Sequence, residues 1–404
     1  MYKEQFLERG NTSPYVCNLI LDENSISQKS IIFDLEINNK TQRLMQTQST
    51  ELNFEGQNFF VGIDAHLKSW TVSILSEHLS HKTFTQPADA EPLYNYLVRN
   101  FPGAIYHSVY EAGFCGLWPH YKLKEMGIDN IVVNPADVPT SQKEHLQKDD
   151  PTDSRKLARS LRSGDLRAIY IPDPSTLEDR SLVRMRAILV RDMVRFKQRL
   201  KSFLYFYGID FPQEFEKSGT HWSKRFMKWL SEDVSLKYVT GTQALKILIQ
   251  EAEQQRTLLL EVLRKIQLLS RSEKYARNIQ LLRTIPGIGL IIAITFLTEI
   301  EKIERFENTD HFAGFVGLIP NRHSSGEKDD NGEMTFRGQN TLRKMLIESA
   351  WIAIRFDPAL MMSYHSYIKR MEPNKAIIRI ARKILNRMYF VLKNKVEYVP
   401  GVVK

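Results

Sequence analysis

At 404 residues, 42% of them hydrophobic and 25% charged, the chain can bury more than one core, which excludes a disordered protein and points to two or three domains. Its 56 Lys and Arg against 47 Asp and Glu leave a net charge of +9, which suits a polyanionic partner, nucleic acid or an anionic membrane surface. Two cysteines, Cys17 and Cys115, cannot build a disulfide framework or a cysteine-rich zinc site, so both are expected to be free buried thiols in a reducing compartment.

The start, MYKEQFLERGN, is charged and has no apolar h-region, and the longest apolar run, IGLIIAITFL, is too short to cross a bilayer. A cytoplasmic protein without a membrane segment is expected. Residues 1–57 mix short apolar runs with polar stretches, carry no motif, and are assigned as an N-terminal extension of unknown role. From residue 58 the pattern changes. FFVGIDAH and WTVSIL read as two strands of a hairpin, DAEPLYNYLVRNF as a helix, AIYHSVYEAG as a strand, CGLWPHYKLKEMG as a helix and NIVVNPADV as a strand. This alternation predicts an α/β domain over 58–175.

Residues 176–275 differ in kind. Leu182, Met185, Leu189, Met193, Phe196, Leu200, Phe203 and Tyr207 recur at spacings of three and four, and so do Leu245, Leu248, Ala252, Gln255, Leu259, Val262, Ile266 and Leu269. Two long helices are predicted, paired as an antiparallel coiled coil or between chains. One side of the first carries Arg184, Arg191, Arg195 and Arg199, with Asp192 the only acid from 184 to 201. That side is either a phosphate-contacting face or a solvated flank.

Residues 276–404 read as a mainly helical C-terminal domain. In TIPGIG, Pro286, Gly287 and Gly289 make a tight turn between apolar helical runs; its amides could face a phosphate, and a plain helix-helix turn would look similar. A polar, glycine-rich loop with the pair Ser324 and Ser325 lies between apolar helical segments, followed by Arg337, Arg343 and Lys344. The last helix, AIIRIARKILNRMYFVL, is amphipathic and basic.

The α/β segment also orders its carboxylates. Asp64 ends the first strand, where aspartate is a poor strand residue and costly to bury alone. Glu111 ends IYHSVYE, and QKDDPTDSRKLARSL opens a helix with Asp150 and Asp153 three apart, on one face. Taken singly, each has an ordinary explanation as a turn residue or a first-turn helix carboxylate. Four carboxylates in this order are the kind of set that converges on divalent metal for phosphoryl transfer.

The order Asp64, Glu111, Asp150, Asp153 resembles the DEDD tetrad of the RuvC-like, RNase H-like domain in transposases of the insertion-sequence family one hundred and ten, relatives of the Piv invertase. KDDPTDSRKLA is similar to that family's Lys-x-Asp-x-x-Asp-x-x-x-Leu-Ala signature, and TIPGIG, RFENTDHFAGFVGLIP, HSSG and RGQNTLRKMLIESA resemble its second transposase domain, in order. The resemblance covers about residues 59–395. It departs at Pro151, Thr152, Ser154 and Gln339, and residues 1–57 have no counterpart.

The resemblance implies an RNase H-like domain, a coiled-coil segment and a helical transposase domain. It also implies a DNA transposase that uses Mg2+ or Mn2+ and works as a dimer or tetramer on donor and target DNA, guided by a noncoding bridge RNA. Its serine nucleophile maps onto Ser325, with Ser324 the fallback, and would meet the carboxylates of another subunit in a composite site. Two other readings remain open from the residues. One is a RuvC-like nuclease with water as nucleophile, and the other is a noncatalytic nucleic-acid-binding module.

Overall fold

The computed structural model describes residues 53–142, 149–325, 328–335 and 337–401, with backbone alone for 322–325 and 328–333. Most of the expected N-terminal extension, residues 1–52 with Cys17, lies outside the described residues. The chain divides into two compact units, one ending at Ile171 and the other beginning at Pro172.

In the first unit, β1 (Asn58–Ala65), β2 (Ser69–Ser76) and β3 (Ser80–Pro87) are antiparallel neighbours, while β4 (Ile105–Glu111) and β5 (Asp129–Val133) continue the sheet parallel to β1. The strand order is β3-β2-β1-β4-β5. This mixed five-stranded sheet is compatible with an RNase H-like α/β domain. The expected β1-β2 hairpin forms, with Asp64 opposite Thr71. β3 was not predicted: its sequence SHKTFTQP is polar and its residues are mostly exposed, as befits an edge strand.

Strand alternation separates two faces. Phe59, Val61, Ile63, Trp70, Val72 and Tyr110 pack with Leu93 and Leu97 of α1 (Ala90–Asn100) and Leu123 of α2 (Trp118–Glu125). On the other face Val109 and Val133 meet Leu157 of α3 (Asp150–Ser163). The last residues before β1 belong to this core: Phe54 meets Phe59 and Phe101 edge-on, with ring centroids 5.4 and 5.5 Å apart. Cys115 is half-buried rather than buried, and burial still pushes its thiol pKa up.

The second unit opens with α4 (Pro174–Phe206), then α5 (Lys224–Glu232) and α6 (Val239–Leu269). Both predicted long helices are present. They pair antiparallel within the chain, since Leu200 and Leu204 share a buried cluster with Leu245 and Ile249, and Val183 lies in the same core as Ile266. The stripe on α6 faces inward throughout, whereas on α4 Met185 and Tyr207 are exposed and Val183 and Leu204 are buried in their stead. A helix packed in a globular core buries a broader, differently centred stripe than a heptad seam, so the rhythm alone does not say which neighbours are covered.

The core continues through α7 (Glu273–Arg283), α8 (Leu290–Ile300), α9 (Thr309–Val316), α10 (Asn340–Phe356), α11 (Pro358–Ile368) and α12 (Pro373–Asn394). Val183, Ile266, Phe296 and Leu385 lie in one cluster, so the paired long helices and the C-terminal helices share a core. Between α9 and α10 runs an antiparallel hairpin, β6 (Pro320–Ser325) and β7 (Lys328–Met334), where a loop was expected. Gln339 stands at the N-cap of α10 without a side-chain cap bond, since its side chain caps less well than the Asn or Asp common there. Among the described residues no helix is long and apolar enough to cross a membrane.

Gly287, in the turn between α7 and α8, has φ +88°, and a Cβ there would lie 2.4 Å from the Ser349 carbonyl oxygen of α10. The glycine is thus required by a helix packed against the turn. Gly287→Ala should cost about 1–3 kcal/mol, read as a lower urea midpoint; an unchanged midpoint would show that α10 can yield.

Candidate active site

Helix α3 lies against the sheet at Gly62, where an added Cβ would sit 2.1 Å from the Ser154 carbonyl oxygen and 2.5 Å from the Ala158 nitrogen. Only glycine permits that approach. The helix is then registered by a buried hydrogen bond between Ser154 Oγ and Ser73 Oγ at 2.8 Å, with Ser73 also 2.8 Å from Thr83 Oγ1. Ser154 is one of the departures from the family signature, and this bond is what it does here. Pro151, another departure, falls in the first turn of α3, where no N–H partner is needed. Asp149 caps the helix by accepting from the Thr152 N–H at 2.7 Å, which holds its carboxyl pKa down.

These constraints deliver Asp150 and Asp153, on the first turn of α3, to the end of β1. Asp64 and Glu111 stand side by side there, because β1 and β4 run parallel in register up to Ile63 and Tyr110. The four carboxylates form two pairs, each bridged by a basic side chain. His66 Nε2 lies 3.2 Å from Asp64 Oδ2 and 3.4 Å from Asp150 Oδ2. Lys156 Nζ lies 3.1 Å from Asp153 Oδ1 and 3.8 Å from Glu111 Oε1.

Burial pushes the Asp64 carboxyl pKa up, His66 pulls it down, and the charges of Asp150 and Asp153 push it up again. That mutual repulsion is the electrostatic mark of convergence. One ligand atom each from Asp64, His66 and Asp150 lies within 4.8 Å of the other two, so the oxygen and nitrogen donors present fit a divalent cation.

The other predicted positions all lie in the second unit. Ser325 ends β6, paired in register with Lys328, and Ser324 pairs with Asp329, so both occupy the tip of the hairpin. Arg184 is committed to a buried partner, giving two hydrogen bonds to Glu299 at 2.7 and 2.8 Å. Arg191, Arg195 and Arg199 are exposed; Arg195 also pairs with Asp192 at 3.1 Å, and Arg199 stacks over Phe196. Gly287 is explained by packing, while Gly289 is the exposed N-cap of α8. Arg343 donates to the carbonyls of Thr335 and Gly317 at 2.6 and 3.2 Å, bracing the chain before and after the hairpin, whereas Arg337 and Lys344 are exposed.

Sequence reasoning missed Gly62, His66 and Lys156. Two signals were available: the glycine inside an otherwise apolar strand, and the histidine two residues beyond Asp64. A groove of about 850 Å³ lined by Pro320, Lys375, Arg379, Arg382 and Lys383 was foreshadowed only by the basic character of the last helix.

Two outcomes follow from this geometry. Gly62→Ala should force α3 off the sheet, lowering stability by about 1–3 kcal/mol in urea denaturation. Asp64→Asn, in chelator, should melt above wild type near pH 7, because the raised carboxyl pKa makes the ionised form the less stable one in the fold. The gain should fade toward about pH 4, where wild type takes up the proton and regains that stability; calorimetry at both values checks it, and a variant that melts below wild type at pH 7 contradicts the burial argument.

Comparison with known proteins gives two matching families. Residues 61–209 match the DEDD transposase domain of the IS110 type, and residues 279–366 match the transposase IS116/IS110/IS902 family. Among curated relatives, a putative transposase of Sinorhizobium fredii is 30% identical over 251 residues, 62% of this chain and 59% of its own length. The transposase for insertion sequence element IS1111A of Coxiella burnetii is 22% identical over 68% of this chain and 74% of its own. The pilin gene-inverting protein of Moraxella bovis is 32% identical over 31% of this chain and 40% of its own length. With one match lying over the carboxylate site and the other over most of the C-terminal helices and the hairpin, the chain belongs to the IS110 family of transposases.

Proposed function

We propose that this protein is the recombinase of an insertion sequence, cutting and rejoining DNA at a divalent-metal site formed by Asp64, Glu111, Asp150 and Asp153. The observation that carries this reading is the convergence of Asp64, Asp150 and His66 at the end of β1 in a chain of this family. A divalent ion bound there, Mg2+ or Mn2+, supplies Lewis acidity to the scissile phosphate and favours deprotonation of the attacking hydroxyl. The carboxylates hold that charge, and Lys156 adds a fixed positive charge beside Glu111 and Asp153.

Ser325 is proposed as the nucleophile. Its hydroxyl displaces the 3′ or 5′ oxygen of the scissile phosphodiester, giving a phosphoserine link and a free DNA hydroxyl. Reversal by another strand's hydroxyl rejoins DNA and releases the serine, with no high-energy cofactor. A noncoding bridge RNA is proposed to choose donor and target by pairing with both. Nucleic-acid binding is supported by the net charge of +9, by the basic groove along α12, and by an open groove of about 710 Å³ where Arg195 and Arg199 meet Phe206 and Tyr207. Exposed apolar residues on α4, Met185, Ile188 and Val194 among them, support assembly into dimers and tetramers.

Labelled donor and target DNA, incubated with Mg2+ and the element's noncoding RNA and run on denaturing gels, should show a protein-DNA adduct with wild type and none without RNA. Asp64→Ala and Ser325→Ala should each remain folded, bind nucleic acid and form no adduct, while Ser324→Ala keeps most of it. A mixture of the two inactive variants that regains the adduct would support the composite site between subunits. Free DNA ends without an adduct in wild type would favour the water-using nuclease, and normal cleavage by Asp64→Ala would overturn the carboxylate assignment.

A further inference from the structure

The two basic side chains in the carboxylate cluster are not equivalent, and their difference bears on how many cations the site takes. His66 projects from the β1-β2 turn with its side chain 47% exposed, and its Nε2 lies between one oxygen of Asp64 and one of Asp150. The separations of 3.2 and 3.4 Å are close to those between neighbouring ligands on one ion. For bonds of about 2.1 Å at right angles, ligand atoms stand about 3 Å apart. Both ions favour oxygen donors, but Mn2+ is the softer of the two and accepts one imidazole nitrogen beside carboxylates, whereas Mg2+ keeps to carboxylate and water oxygen.

Lys156 is placed differently. It projects from α3 one turn after Asp153, and its side chain is only 10% exposed, so its stem is held between helix and sheet. Its ammonium lies against Asp153 and Glu111, the two carboxylates that would otherwise be left to hold a second ion. A second ion beside the first would draw on Glu111 and Asp153, the charge partners the ammonium already has. Expelling it would leave a buried lysine without its carboxylate partners, which is costly.

We infer that the site binds a single divalent ion, held by Asp64, Asp150 and the His66 imidazole and selective for Mn2+ over Mg2+, with the Lys156 ammonium occupying the second cation's place between Glu111 and Asp153. The inference rests on the reading of the four carboxylates as a divalent-ion site, and it assigns His66 as a ligand and Lys156 as a built-in positive charge.

Mn2+ titration of the full-length protein followed by EPR tests it. Wild type should bind one Mn2+ per chain, and pulsed EPR should show coupling to a histidine nitrogen. His66→Ala should lose that coupling and bind Mn2+ about 10–100-fold more weakly while Mg2+ affinity stays nearly unchanged, so that Mg2+ displaces Mn2+ more readily by the same factor. Lys156→Met should bind two. Circular dichroism keeps misfolded variants from being counted, and the wild-type nitrogen coupling and stoichiometry need no variant at all. Two Mn2+ per wild-type chain, or a nitrogen coupling that survives His66→Ala, overturns this inference while leaving the metal site intact. Wild-type Mn2+ binding no stronger than that of Asp64→Asn overturns the metal-site reading as well.

Discussion

Between Gly62 and the first turns of α3 there is no room for a side-chain carbon, and the placement of Asp150 and Asp153 against the strand carboxylates depends on that contact. The β1 residues on this face are Phe60, Gly62 and Asp64; the glycine is the gap through which the helix approaches, and the aspartate is what the helix then finds beside it. The serine-serine-threonine chain from α3 through β2 to β3 fixes the helix along its axis, and Leu157 with Val109 and Val133 seals it to the sheet.

Convergence carries an electrostatic cost, and the protein meets it with its own bases. Four carboxylates without counter-charge would be forced to share protons. Here His66 and Lys156 each lie against one pair, and burial still disfavours the ionised form of Asp64. The same logic appears away from the site: Glu299 is nearly buried and is neutralised by Arg184 and Arg180, and the buried Asp357 accepts from Arg387 and Tyr398, both at 2.7 Å. Removing one partner from such a pair costs about 3–5 kcal/mol, so these arginines serve the fold of the second unit before any ligand.

The helical unit depends on close approaches of its own. Gly287 lets the α7-α8 turn sit on α10, and Gly317 and Gly338, both with positive φ, bring the two ends of the β6-β7 hairpin segment together, tied by Arg343 to the carbonyls of Gly317 and Thr335. The hairpin that carries Ser324 and Ser325 thus rises from a closely packed, hydrogen-bonded base.

Much of this protein is legible in its sequence because the signals are local. Strand alternation located β1, β2, β4 and β5, three-and-four spacing located α4 and α6, and the order Asp64, Glu111, Asp150, Asp153 follows from where strands end and a helix begins. The edge strand β3 escaped notice, since polar edge residues lack apolar alternation, and the serine pair read as a loop, since Gly, Asp and Asn around it are turn formers whatever backbone they join. Met185 and Tyr207 keep the heptad rhythm and still face solvent, because rhythm fixes a stripe on a helix and not which partner covers it. The approach at Gly62, the pairing of His66 with Asp64 and Asp150, and the seat of Lys156 between Glu111 and Asp153 were decided only in three dimensions. Each depends on distances between elements far apart in the chain, and a residue's type does not encode the distance to a neighbour that folding alone supplies.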